Sequence, residues 1–290
     1  MAQATNTREN HGEAPSQKLE RLRTIISNYK SMLVCFSGGI DSALLLAVAH
    51  EQLGKDAVAM TAVSPSLPER EKKSAATVAL AIGARHCFVP SDEISRPLYV
   101  KNAPDRCFHC KTELYTIAEA KRKEWGLRVV ANGTNQDDQG DYRPGLEAAR
   151  NAKVCAPLAE AGLDKADVRA CAQILGLKIW DKPASACLSS RIPYGVSVTR
   201  ERLAQVEGFE DDLRDLGFLQ VRVRWHKEIA RIEVPLTDLA RLIEEDTNLK
   251  VITCGRRHGF QFITADLSGY RTGSLNELLS GRSLKVITDN

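Results

Sequence analysis

The chain has 290 residues, 43% of them hydrophobic and 27% charged, with 19 glycines, 11 prolines and a formal net charge of +3 at pH 7. This composition excludes a disordered or collagen-like polymer, and the small positive charge falls short of the basic footprint of a dedicated nucleic-acid binder. A small anionic substrate suits it better. No run of about 18 apolar residues is present, and the opening MAQATNTRENHGEAPSQ lacks the apolar stretch of a signal peptide. The expectation is a cytoplasmic protein with a loose polar tail over 1–16, whose eight cysteines serve as thiols, metal ligands or catalysts rather than a disulfide framework.

Residues 19–29, LERLRTIISNY, place apolar side chains at helical spacing and lead into SMLVCF (31–36), a short apolar run suited to a buried strand. DSALLLAVAHEQLG (41–54) predicts a helix ending at glycine, and AVAMTAV (57–63) a second buried strand. A helix around 68–82, a strand HCFVP near 86–90, a helix around 112–125, a strand LRVVANGT (127–134) and a helix DKADVRACAQIL (164–175) continue the alternation. Such alternation predicts an α/β fold, a doubly wound parallel sheet with helices on both faces, over 17–195. Near 195 the rhythm changes. A helix at 200–217, alternating FLQVRVRWH (218–226), IARIEV (229–234), a helix near 236–245 and a strand KVITC (250–254) predict a smaller α+β domain over 196–290.

CFSGGIDS (35–42) runs from the first strand into the following helix, which puts backbone N–H groups and a positive helix end at the carboxyl edge of the sheet. Phosphate belongs there, although the lysine of an ordinary nucleotide-triphosphate loop is missing. Ser37 and Ser42 can donate hydroxyls to phosphate oxygens, and Asp41 can hold Mg²⁺ among them; otherwise Gly38 and Gly39 merely permit a tight turn. NGTNQDDQGDYRPG (132–145) follows another predicted strand, so Asp137, Asp138 and Asp141 fall at the same edge. They position Mg²⁺ or order a loop over the nucleotide, or else form a solvated acidic turn.

Cys35, Cys87, Cys155, Cys171 and Cys254 lie in apolar stretches and read as small core hydrophobes. DRCFHCK differs, since Cys107 and Cys110 stand three residues apart beside Arg106 and Lys111, whose charge favours thiolate. A lone C-x-x-C admits zinc, a cluster, a redox pair or nothing. Cys187 supplies a third thiol in DKPASACLSSRIPYG, a loop with Pro183, small residues and Arg191. Three thiolates can hold a [4Fe–4S] cluster and leave one iron open, while zinc with these cysteines and His109 is the competing metal reading.

SGGIDS resembles the SGGxDS loop of the PP-loop pyrophosphatases, which cleave ATP between the α- and β-phosphates to form an adenylate. With CFSGGIDSALL, RCFHCKTELY, NGTNQDDQGDYRPG, KPASACLSSRIPYG and RVRWH in this order, the chain resembles the LarE family from about residue 17 to its end. The resemblance implies an ATP-dependent sulfur transferase of nickel-pincer nucleotide synthesis. Such an enzyme adenylates the carboxylates of pyridinium-3,5-biscarboxylic acid mononucleotide, releases pyrophosphate and leaves thiocarboxylates.

By the same resemblance, Ser37, Gly38, Gly39, Asp41, Ser42, Asp137 and Asp138 bind ATP and Mg²⁺, and Asp41 and Cys187 are catalytic. Arg222 and Arg224, which alternate on a predicted strand and so share a face, take the substrate's phosphate, with Ser190 and Arg191 as further candidates. One branch of the family sacrifices a single cysteine, at the position of Cys187, which ends as dehydroalanine. Another holds a [4Fe–4S] cluster with three, and the presence of Cys107, Cys110 and Cys187 favours this branch. Relatives assemble as hexamers; neither a nucleic-acid nor a membrane partner is expected. The rivals are a tRNA thiolase, which shares the loop and the thiols, and an amide-forming synthetase, which leaves the thiols idle.

Overall fold

The computed structural model describes residues 13–140, 144–182, 185–271 and 273. Helix α1 (Pro15–Tyr29) has proline at its start, where a missing N–H leaves nothing unsatisfied, and buries Leu19, Leu22 and Ile26 on one stripe. Strand β1 (Met32–Cys35) is buried throughout. Helix α2 (Ile40–Leu53) buries Ile40, Ala43, Leu44, Leu45, Leu46, Val48 and Ala49, so it is apolar nearly all round, and it packs against α1. Strand β2 (Ala57–Val63), helix α3 (Glu69–Ile82) and strand β3 (Arg85–Pro90) follow. Next come the single turn α4 (Pro97–Val100), helix α5 (Arg106–Glu124) and strand β4 (Val129–Ala131). Helices α6 (Pro144–Asn151), α7 (Pro157–Glu160) and α8 (Lys165–Ile174) complete this part, and α8 packs against α1 and α2.

The four strands stand in the order β3-β2-β1-β4, with β1 parallel to both neighbours: Met32 lies opposite Ala57 on one side and Val129 on the other. This is the expected α/β sheet. The chain winds outward from β1 to β3 and returns to the far side of β1 at β4. The loops after β1 and β4 therefore part at a topological switch point, the place where open α/β sheets bind ligands.

Helix α9 (Arg200–Asp215) begins at Thr199, whose hydroxyl accepts from Arg202 N at 3.3 Å. Strands β5 (Arg222–His226) and β6 (Ile229–Glu233) pair antiparallel, and helices α10 (Leu239–Ile243) and α11 (Glu245–Arg257) lead to β7 (Phe262–Ala265), which pairs parallel to β6. Two expectations are corrected here. KVITC (250–254) lies inside α11, because Val251 and Gly255 are buried one turn apart and the helix packs on α9 and β7. A Cβ at Gly255 would come within 2.5 Å of Ile263 Cδ1, so tertiary packing overrides the β-branched residues' local preference for a strand. The missing strand is β7, in a segment read as no element at all.

The chain gathers into two compact units, one of residues up to 62, 70–89 and 114–185, the other of 63–69, 90–113 and those from 186 on. The first has its core around α1, α2, β1 and α8, and the second around Phe209, Phe218, Val223, Ile232 and Phe260. Among the described residues no helix is long and apolar enough to cross a membrane.

Candidate functional site

In the first unit the chain leaves β1 still paired, Phe36 N donating to Met60 O at 2.8 Å, and turns at Gly38 with φ +73°. Only glycine fits: that backbone is left-handed, and a Cβ there would lie 2.8 Å from Ala75 Cα of α3. Ser42, almost fully buried, shapes the loop from inside, donating to Gly39 O at 3.0 Å and accepting from Ser37 N at 3.3 Å. Ser37 is exposed. The Ser37 hydroxyl accepts from Gly39 N at 3.3 Å within the turn, and the start of α2 follows it directly, an arrangement compatible with a phosphate site.

Asp41 is held by two donors, Asn135 Nδ2 at 3.0 Å from one carboxylate oxygen and Lys165 Nζ at 2.5 Å from the other. The loop after β4 brings Asn135 there because it is pressed onto the start of α2, where a Cβ on Gly133 would lie 2.8 Å from Ser42 N. Asn135 and Asp138 bond each other reciprocally: Asn135 N donates to Asp138 Oδ2 at 3.1 Å, and Asp138 N to Asn135 Oδ1 at 3.3 Å. Asp137 Oδ2 accepts from Lys165 N at 3.0 Å. These bonds hold the loop after β4 to itself and to the start of α8. Asp141 lies outside the described residues.

Two lysines from far along the chain lie beside the loop. Besides Lys165, Lys182 Nζ donates to Glu71 Oε2 and Ser74 Oγ, both at 2.9 Å, and to Gly38 O at 3.4 Å. Sequence reading passed over Asn135, Lys165 and Lys182. A signal existed for Lys165, which opens α8 directly after the N-cap Asp164. A cation at a helix N-terminus opposes the dipole and calls for a compensating anion.

In the second unit, Cys107 and Cys110 stand at the start of α5, three residues and so about one turn apart on one side of the helix, and Cys187 precedes a 3-10 turn at Leu188–Arg191. Cys107 and Cys187 are exposed. Burial pushes the Cys110 thiol up to about 12 against the pull of Lys111, and charge on Cys187, Glu93 and Cys107 adds to the rise. Burial lowers the Arg106 pKa, but the charges of Cys187, Cys107, Tyr99 and Tyr194 together leave a net rise. The three thiols therefore stand within electrostatic reach of one another beside a buried guanidinium. Among the described residues no three His, Cys, Asp or Glu side chains are arranged to hold a metal ion. In donor chemistry the trio still suits an iron–sulfur cluster, with soft ligands and positive surroundings from Arg106 and the helix start.

Arg222 and Arg224 do alternate on β5, yet they have different partners. Arg224 is buried in a two-pronged pair with Glu233, at 2.9 and 2.7 Å, and donates to Ser190 O at 2.8 Å. Arg191, 1% exposed, forms the same kind of pair with Glu210, at 2.8 and 3.0 Å, and donates to Ala186 O at 2.7 Å and Cys187 O at 2.9 Å. Ser190 Oγ also donates to Cys187 O, at 2.8 Å. Arg191 and Arg224 thus fix the backbone that carries Cys187. Arg222 is half-buried, its guanidinium 5.3 Å from the Tyr270 ring centre. Burial and the Arg191 charge lower its pKa, while Glu210 opposes. Arg214 also donates to Glu210, at 2.7 Å, and to Asp211, at 3.0 Å, so Arg191 and Arg214 share the Glu210 carboxylate, while Arg222 feels its charge without pairing with it and so suits a phosphate.

The remaining cysteines divide by depth. Cys35 and Cys171 are buried as expected, whereas Cys87, Cys155 and Cys254 are half-buried.

The family model described as Asparagine synthase matches residues 27–107. An uncharacterised protein of Synechocystis is 42% identical over 91% of this chain and 98% of its own length. The pyridinium-3,5-bisthiocarboxylic acid mononucleotide synthase of Lactiplantibacillus plantarum is 38% identical over 92% of this chain and 96% of its own. An uncharacterised protein of Methanocaldococcus jannaschii is 29% identical over 84% and 92%.

Proposed function

Since the chain belongs to the LarE family of PP-loop enzymes, we propose that it is an ATP-dependent sulfurtransferase that turns the carboxylates of pyridinium-3,5-biscarboxylic acid mononucleotide into thiocarboxylates. The observation that carries the reading is that Arg106, next to Cys107, donates to Ser189 O, two residues after Cys187, so that the C-x-x-C and Cys187 segments meet in one unit, in a chain whose other unit holds the SGGIDS loop.

ATP lies with its β- and γ-phosphates on the Ser37–Ser42 loop and the start of α2. Asp41 would hold Mg²⁺, which would neutralise phosphate charge there, and Lys165, now paired with Asp41, and Lys182 beside the loop would supply further positive charge for the phosphates. A substrate carboxylate oxygen attacks the α-phosphorus and the bond to pyrophosphate breaks, leaving an acyl adenylate. A sulfur nucleophile then attacks the acyl carbon and AMP departs with the bonding electrons. The adenylate is needed because a bare carboxylate resists an anionic nucleophile. Arg222, with Arg214 and Arg191 behind it, holds the substrate's phosphate, while Arg191 and Arg224 keep the Cys187 backbone in place. A [4Fe–4S] cluster held by Cys107, Cys110 and Cys187 would supply transferable sulfide at its protein-free iron.

A second reading rests on the exposure of Cys187, which leaves its thiol open to give up its own sulfur. A tRNA thiolase shares both sites, and an amide synthetase fits the Asparagine synthase match, but that match ends at residue 107 and gives the thiols no task. Pyrophosphate release measured with the pyridinium mononucleotide, with tRNA and with ammonia separates these. Release stimulated by the mononucleotide alone is expected, and stimulation by tRNA or ammonia instead excludes the reading.

A further inference from the structure

We propose that Asn102 and Arg106 are positioning residues that set the register between the Cys107–Cys110 turn and the Cys187 segment before any cofactor is bound. The inference rests on reading the three thiols as one functional set. Asn102 is wholly buried between α4 and α5, with a left-handed φ of +55° that asparagine tolerates better than most residues. Its Nδ2 donates to Pro193 O at 2.8 Å, Val196 O at 2.9 Å and, less closely, Ile192 O at 3.3 Å, while its backbone carbonyl accepts from Gly195 N at 3.0 Å. Its Oδ1 accepts from Arg106 Nη1, which also donates to Ser189 O at 2.8 Å. Arg106 directly precedes Cys107, and Ser189 follows Cys187 by two residues. One buried amide and one buried guanidinium thus tie together the two segments that carry the thiols.

The tie is specific in its chemistry. The amide can stand only one way round, since its N–H groups face carbonyls and its oxygen faces a guanidinium. Tyr99 extends it, its hydroxyl 2.6 Å from Ser189 Oγ, as does Leu188 N, which donates to Ser66 O at 2.9 Å. The exposed Cys187 side chain gains little anchorage from packing, so hydrogen bonds to its backbone and its neighbours must hold it. Groups of this kind behind a ligand set matter nearly as much as the ligands.

Asn102→Gly is the informative variant, because glycine keeps the left-handed turn without strain and removes only the amide. In the metal-free protein, the rate at which a short bis-maleimide joins Cys187 to Cys107 or Cys110 is followed by peptide mapping. Iron retained after anaerobic reconstitution and ATP affinity are measured alongside. The cross-linking rate and iron retention should fall about tenfold or more, with ATP affinity, which rests on the loop of the other unit, at the wild-type level. Should ATP affinity also collapse, the variant has misfolded and Arg106→Lys, which keeps the charge but loses the planar fork, decides by the same readings. Cross-linking and iron retention at wild-type levels in a folded variant overturn the proposal, as does a wild type whose thiols do not cross-link. A wild type that holds no iron, yet cross-links only with Asn102 present, contradicts the cluster and leaves the positioning intact.

Discussion

Asp41 has two donors poised on its two oxygens, so replacing it with asparagine tests charge at constant volume. Asp41→Asn should lower pyrophosphate release about 100-fold or more while the protein stays folded; adenylation at the wild-type rate removes Asp41 from the metal site. Among the arginines, geometry divides what alternation had joined. Glu210 is fully buried against Arg191, so Glu210→Ala leaves an uncompensated charge and should cost about 3–5 kcal/mol in denaturant unfolding. Arg222→Gln should instead raise the KM for the mononucleotide and leave stability and ATP affinity nearly unchanged. Equal loss of both affinities argues against a phosphate role. Cys171 gives a pH test: burial, with the Asp167 charge, raises its pKa from 9.0 to about 11. The folded chain keeps this proton while the unfolded chain releases it, so the stabilisation is whole below pH about 9 and disappears as pH rises through about 11. Thermal melts across that range should therefore show the deficit of Cys171→Ala narrowing, and a constant deficit contradicts the assignment. The turn at Gly38 and the helix that follows it were legible because a glycine pair stands between an apolar run and a run of helix formers. The partners of Asp41 were not, because hydrogen bonds spanning 94 and 124 residues leave no local pattern.

Secondary elements were legible where burial followed one period, as in α1, β1, α2 and β2, and failed where packing outweighed propensity. Residues 250–254 read as a strand because Val251, Ile252 and Thr253 are β-branched, yet α11 needs Val251 and Gly255 on one face to meet β7. Helix α5 was expected from about 112 and starts at Arg106. The difference bears on chemistry, since it places Cys107 and Cys110 in a helical first turn, with the positive end of the dipole beside their sulfurs. At the sheet's switch point, Gly133→Ala must push a methyl against the backbone of Asp41 and Ser42. It should destabilise the protein by about 1–3 kcal/mol and slow pyrophosphate release together; a neutral effect on both shows that the two loops do not rely on this close approach.

The two units interleave in sequence, with 63–69 and 90–113 joining the residues from 186 on. A change of rhythm marks where a new set of elements begins, but nothing in 90–113 announces that it packs with Tyr99 against Leu188 and Ile192. That arrangement matters for function, because it puts Cys107, Cys110 and Cys187 in one unit although 77 residues part the second from the third. The hexamer implied by family resemblance remains to be weighed by light scattering, where a monomer excludes it. The central claim is that the three thiols act together in repeated sulfur transfer. It is tested most directly by counting thiocarboxylates formed per chain by the anaerobically reconstituted protein with ATP, Mg²⁺, sulfide and the mononucleotide, and then weighing the chain. Several sulfurs per chain, unchanged chain mass and loss of most activity in Cys107→Ala are the predicted result. One sulfur per chain, loss of the elements of H₂S at Cys187 and full competence of Cys107→Ala for that single event would contradict it.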